Sequence, residues 1–110
     1  MKNYVSKWIL QRLTAIILIP LTFWFVYQCI LLSSYSYDEI KAFFFSKLNS
    51  SLYLILVITM LYHAKIGCET IIEDYVNSPG IKKITNIFIS TLVYILIILT
   101  TISIFFIVSL

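Results

Sequence analysis

Two stretches of this chain carry no charged residue, Leu13 to Leu32 and Ile84 to Leu110, and a third, Ser51 to Ile72, is apolar at all but a few positions. About 20 apolar residues cross a hydrocarbon layer of roughly 30 Å as a helix. The runs therefore predict three transmembrane helices, at approximately 10–33, 50–73 and 82–109. Between the first two, "YSYDEIKAFFFSKL" (Tyr35 to Leu48) predicts a short interfacial helix near 37–47, its aromatic residues at headgroup level. "NSPG" (Asn77 to Gly80) predicts a turn before the last helix. The expected fold is an all-α integral membrane protein, one domain over residues 1–110.

Composition agrees with the pattern. Hydrophobic residues make up 61% and charged residues 12%, against roughly 25% charged in ordinary soluble domains, and mean hydropathy is +0.99. The net charge of +3 is scattered, which gives a nucleic-acid partner no support. Lys2 and Lys7 before the first run resemble a secretory signal. That run is too long for a signal and holds Pro20, Trp24, Phe25, Tyr27 and Gln28, so a retained helix with a kink at Pro20 is expected. Basic residues set the orientation. Lys2, Lys7, Arg12, Lys82 and Lys83 flank one side, and only Lys41 and Lys47 the other, which predicts a cytoplasmic N-terminus. Cys29 and Cys68 fall at different depths of different helices, where they are expected as buried, unbridged thiols.

The middle run decides the chemistry. Ser51 to Ala64 is too short to span, whereas continuing to Ile72 gives about 33 Å of helix. The rival register, Phe43 to Ala64, would sink Lys47, Asn49, Ser50 and Ser51 instead. The preferred register places His63 near the midplane and buries Lys65 and Glu69, each costing on the order of 3 kcal/mol. Four residues apart, they are placed to pair with each other. His63, Gly67, Thr70 and Asp74 share a stripe, Asp74 lying within about 20° of His63 and about 16 Å along the axis. An imidazole in lipid needs a partner. A metal such as haem iron is one candidate and a structural hydrogen bond is another. Gly67 would let a flat macrocycle approach the backbone, or would permit close helix packing. Arg12, at the entrance of the first helix, suits a bidentate pair with an anion such as a propionate, or serves as a positive-inside anchor.

Two motifs then carry a resemblance. "QRLTAI" (Gln11 to Ile16) is similar to an R-x-T-A motif, and His63 is followed eleven residues later by Asp74 and Tyr75. With three helices in about 110 residues, the chain resembles the hydrophobic membrane anchor subunits of succinate dehydrogenase. The resemblance implies that His63 is an axial ligand of haem b, shared with a cytochrome b membrane subunit that packs against this chain and supplies the second ligand. It implies that Tyr75 donates a hydrogen bond to a ubiquinone carbonyl, with Asp74 beside it tuning the site or supplying protons, and that Arg12 lies near the haem propionates. It also implies an iron–sulfur subunit and a flavoprotein subunit that oxidise succinate, for this chain shows neither a Gly-rich dinucleotide loop nor a cysteine cluster. A bacterial inner membrane is the expected location, because no Arg-rich amphipathic leader is seen. The alternatives are a fumarate reductase anchor, a structural anchor without haem, and a small proton- or ion-coupled transporter using His63, Lys65, Glu69 and Asp74 as a relay.

Overall fold

The computed structural model describes residues 4–109, so Lys2, counted above toward orientation, lies outside the described residues. These residues form four helices: α1 (Tyr4–Leu32), α2 (Tyr37–Phe45), α3 (Lys47–Tyr75) and α4 (Pro79–Ser109). No strand occurs among the described residues. Three of the helices, α1, α3 and α4, are long and apolar enough to cross a membrane.

Helix α1 runs unbroken through Pro20, which lies on its exposed side. Its buried residues are Thr14 and Leu21, two turns apart on one face. The corner that follows is closed by side chains. Ser36 caps α2 by accepting from the Glu39 backbone N–H at 3.3 Å, and Asp38 and Glu39 in the first turn complement the helix dipole. Ser46 ends α2 and caps α3, accepting from the Asn49 N–H at 3.5 Å. The Asn49 amide donates to the Phe43 carbonyl at 3.2 Å, and the Ser50 hydroxyl donates to the Phe44 carbonyl. These bonds satisfy carbonyls that the end of α2 would leave without partners. At the other corner Pro79 opens α4, where its missing N–H costs nothing, and Ser78 accepts from the Ile81 N–H at 3.4 Å.

Helix α3 is the centre of the molecule, with α1 packed on one side and α4 on the other, while α2 lies across one end against α3 and α4. Aromatic rings lock that end. Trp24 stacks on Phe43 at 6.3 Å, and Phe44 meets Phe43 and Tyr53 edge-on at 5.1 and 5.4 Å. Each such pair contributes about 0.5–1.5 kcal/mol beyond area burial. In mid-bundle the Tyr62 hydroxyl donates to that of Tyr94 at 3.2 Å and joins α3 to α4. The opposite end is tied by ions: Lys82 pairs with Glu73 at 3.4 Å, and Glu69 bridges Lys65 at 3.2 Å and Lys7 at 3.9 Å. The i,i+4 pair expected from the sequence therefore forms, and α1 adds a second lysine to it.

Few side chains are buried: Thr14, Leu21, Leu56, Ile66, Ile72, Val93 and Ile104. Large apolar side chains such as Phe23 and Phe105 face outward, as suits helices solvated by lipid. Cys29 and Cys68 are free, but both are exposed rather than buried. The physical reason is that the helices bury only a narrow seam against one another, and neither cysteine lies on it.

Candidate functional site

The end of the bundle that carries the ion pairs also holds a groove of about 770 Å³ between the first turns of α1 and the last turns of α3. Trp8, Gln11 and Arg12 line it from α1, and Gly67, Thr70 and Asp74 from α3. The stripe read from the sequence thus faces α1 rather than splitting across the helix, because the α1–α3 seam runs through Ile66 and Gly67.

His63 lies one turn before Gly67 and reaches α1 directly. Its Nδ1 is 2.9 Å from Thr14 Oγ1. The imidazole therefore has the hydrogen-bond partner that burial demands, and that partner is a threonine within "QRLTAI". Nε2 makes no hydrogen bond among the described residues. Of the two readings of the histidine, the structural bond is present and occupies one ring nitrogen, leaving the other for a ligand.

Arg12 stacks its guanidinium over Trp8, one turn earlier on α1, with Cζ 5.1 Å from the ring centroid. It pairs with no carboxylate among the described residues. A fixed, unpaired guanidinium at the wall of a groove is suited to an anionic group carried by a ligand. At Gly67, an added Cβ would stand 3.5 Å from Gln11 Nε2, an ordinary contact. Packing against α1 therefore does not demand glycine at this groove-lining position. Thr70 spends its hydroxyl on the Ile66 carbonyl at 2.9 Å and contributes shape rather than a free donor.

Tyr75 stands apart. It is the last residue of α3, 80% exposed, and is not among the groove's lining residues. Asp74 lines the groove while its neighbour points elsewhere, as follows from the 100° step between successive helical residues. The structure thus brings Arg12, Gly67 and Asp74 to one groove, while His63, one turn before Gly67, and Tyr75 are not among its lining residues.

The donor set bears on the implied haem. Among the described residues no three His, Cys, Asp or Glu side chains gather as a metal site, so this chain offers an iron one imidazole. The sequence contains one histidine. An imidazole anchored through one nitrogen and an arginine with no carboxylate partner among the described residues are side chains that fit a haem, to which this chain would give one ligand. From the sequence, Thr14 and Gln11 stand out only as members of "QRLTAI", and Lys7 only as a flanking basic residue. The carbonyl oxygen of Gln11 is buried without a partner among the described residues. A hydroxyl or amide inside an apolar helix is the signal that marks such positions.

Comparison with known proteins gives the same direction. Residues 3–108 match the model of a family described as succinate dehydrogenase/fumarate reductase transmembrane subunit. The chain is 34% identical over 82 residues to the succinate dehydrogenase hydrophobic membrane anchor subunit of Rickettsia bellii, a match covering 74% of this chain and 66% of that protein. It is 28% identical over 105 residues to the Rickettsia typhi protein of that name and 29% over 105 residues to the Rickettsia prowazekii one. Each of those two matches covers 96% of this chain and 84% of the relative.

Proposed function

The chain belongs to the succinate dehydrogenase/fumarate reductase transmembrane subunit family, and from that footing we propose that it is the hydrophobic membrane anchor of a bacterial succinate dehydrogenase. In this reading it sits in the inner membrane with its N-terminus cytoplasmic. It docks the flavoprotein and iron–sulfur subunits that oxidise succinate, and passes their electrons toward ubiquinone.

The observation that carries the reading is the convergence of Arg12, Gly67 and Asp74 on one groove that begins one helical turn beyond an imidazole held by Thr14. His63 would supply one ligand to haem b, and a cytochrome b partner subunit the other. A bound haem b would supply a one-electron store. Arg12, braced on Trp8, would neutralise propionate charge where the helix leaves the lipid. Gly67 would let the macrocycle lie against α3. Tyr75 would donate its phenolic hydrogen bond to a quinone carbonyl, an oxygen whose negative charge grows on reduction. Asp74, one residue away on the groove side, would supply protons to that oxygen. Its position at the last turn of α3, away from the bundle's apolar middle, suits exchange with water.

The test is His63→Tyr in the chain coexpressed with its partner subunits. Reduced-minus-oxidised difference spectra should lose the signature of a bis-histidine b-type haem. An unchanged spectrum would remove His63 from the ligand set.

A further inference from the structure

We propose that Thr14 is a positioning residue that fixes the proton of the neutral His63 ring on Nδ1, so that Nε2 keeps the lone pair a metal requires. The proposal deepens the haem reading and rests on it for its use, while the geometry belongs to this chain alone.

A threonine hydroxyl carries one hydrogen and two lone pairs. Thr14 Oγ1 has three close neighbours: the Leu10 carbonyl oxygen at 2.9 Å, the Gln11 carbonyl oxygen at 3.0 Å and His63 Nδ1 at 2.9 Å. Two of these are carbonyl oxygens, which only accept. If the hydroxyl donated to Nδ1 instead, its oxygen would face two carbonyl oxygens at hydrogen-bond distance with no hydrogen between them, a repulsive arrangement. The hydroxyl hydrogen therefore points back into its own helix turn, as serine and threonine commonly do in helices. What it offers His63 is a lone pair, and Nδ1 must supply the hydrogen. Thr14 is 7% exposed, so little room remains for water to compete. A neutral imidazole has one N–H, and placing it on Nδ1 leaves Nε2 bare.

This matters because a neutral imidazole free in water favours the opposite form, with the hydrogen on Nε2, which cannot bind a metal through that atom until the proton moves. Thr14 would pre-set the ring. A metal-bound imidazole commonly donates its other N–H to an acceptor that fixes its tautomer and raises its basicity. Here the acceptor sits on a neighbouring helix, so ring orientation and tautomer depend on α1 and α3 staying packed.

The sequence makes the test clean, since His63 is the one histidine present. The full chain, purified without a histidine tag and with ¹⁵N in its imidazole, is placed haem-free in lipid bilayers. Spectra are recorded about two pH units above the ordinary histidine value of roughly 6.5. Nitrogen chemical shifts then separate the protonated from the bare ring nitrogen. The wild-type chain should show hydrogen on Nδ1, and Thr14→Ser should keep it there. Thr14→Val should move the tautomer ratio toward Nε2–H by roughly fivefold, the worth of about one neutral hydrogen bond. Hydrogen on Nε2 in the wild-type chain, or an unshifted ratio in Thr14→Val, would overturn the proposal. In the assembled complex Thr14→Val should also shift the haem midpoint potential to more positive values, with Thr14→Ser restoring it. The tautomer is read without haem and the His63→Tyr spectrum with it, so either conclusion can fail while the other stands.

Discussion

At the scale of single residues, His63 and Asp74 show what helical spacing can and cannot convey. Eleven residues return nearly to the same face, so the alignment of the imidazole with the carboxylate end of α3 was legible from the sequence, as was the Lys65–Glu69 pair. The partner of the imidazole was not. Thr14 is 49 residues from His63 along the chain, and their meeting depends on the offset between two antiparallel helices, which no local pattern records. Arg12 stacking on Trp8 was readable in principle, being one turn apart on α1, yet the absence of a carboxylate partner emerges only once the neighbouring helices are placed. Tyr75 marks the limit of the stripe argument, because the next residue after Asp74 turns away from the groove. Its proposed role needs a quinone site completed by another subunit. Tyr75→Phe, which deletes one phenolic donor, should slow succinate-driven ubiquinone reduction by about 10²-fold while succinate oxidation by an artificial acceptor survives. Equal quinone rates would take Tyr75 out of the mechanism.

Helices pair here through unlike chemistries at their two ends. At the α2 corner, stacked and edge-on rings hold α1, α2 and α3. Near the groove, Glu69 shares its carboxylate between Lys65 on its own helix and Lys7 on α1, all three partly shielded from solvent. Charge of this kind inside an apolar segment looks costly in isolation. The fold explains it as a clip at the α1–α3 seam, the seam on which the Thr14–His63 contact also depends. Glu69→Gln leaves two lysines facing a neutral amide. The full chain in mild detergent should then lose about 1 kcal/mol of resistance to denaturant, with the difference shrinking at high salt. An unchanged unfolding midpoint at low salt would show that the bridge does not hold α1 to α3. The existence of the three long helices was plain from two uncharged runs and the largely apolar middle one. The capping that shapes their corners, by Ser36, Ser46 and Ser78, rests on single hydroxyls that hydropathy does not register.

The whole molecule is a row of helices rather than a closed bundle. With α3 in the middle and most large apolar side chains turned outward, the chain has little core of its own, and a family of membrane subunits supplies the reason: its faces meet lipid and other subunits. In the proposed function the single histidine gives the haem one ligand, and Tyr75, outside the groove, needs a quinone site completed by another subunit. Both conditions point to assembly as the functional state. The most direct measurement is purification of the full chain, carrying a small affinity tag, from native membranes under mild detergent. It should bring with it a flavoprotein, an iron–sulfur protein and a second membrane subunit, together with b-type haem that succinate and ubiquinol-linked reductants reduce. Recovery of the chain without those subunits and without haem would contradict the proposed anchor role at its root.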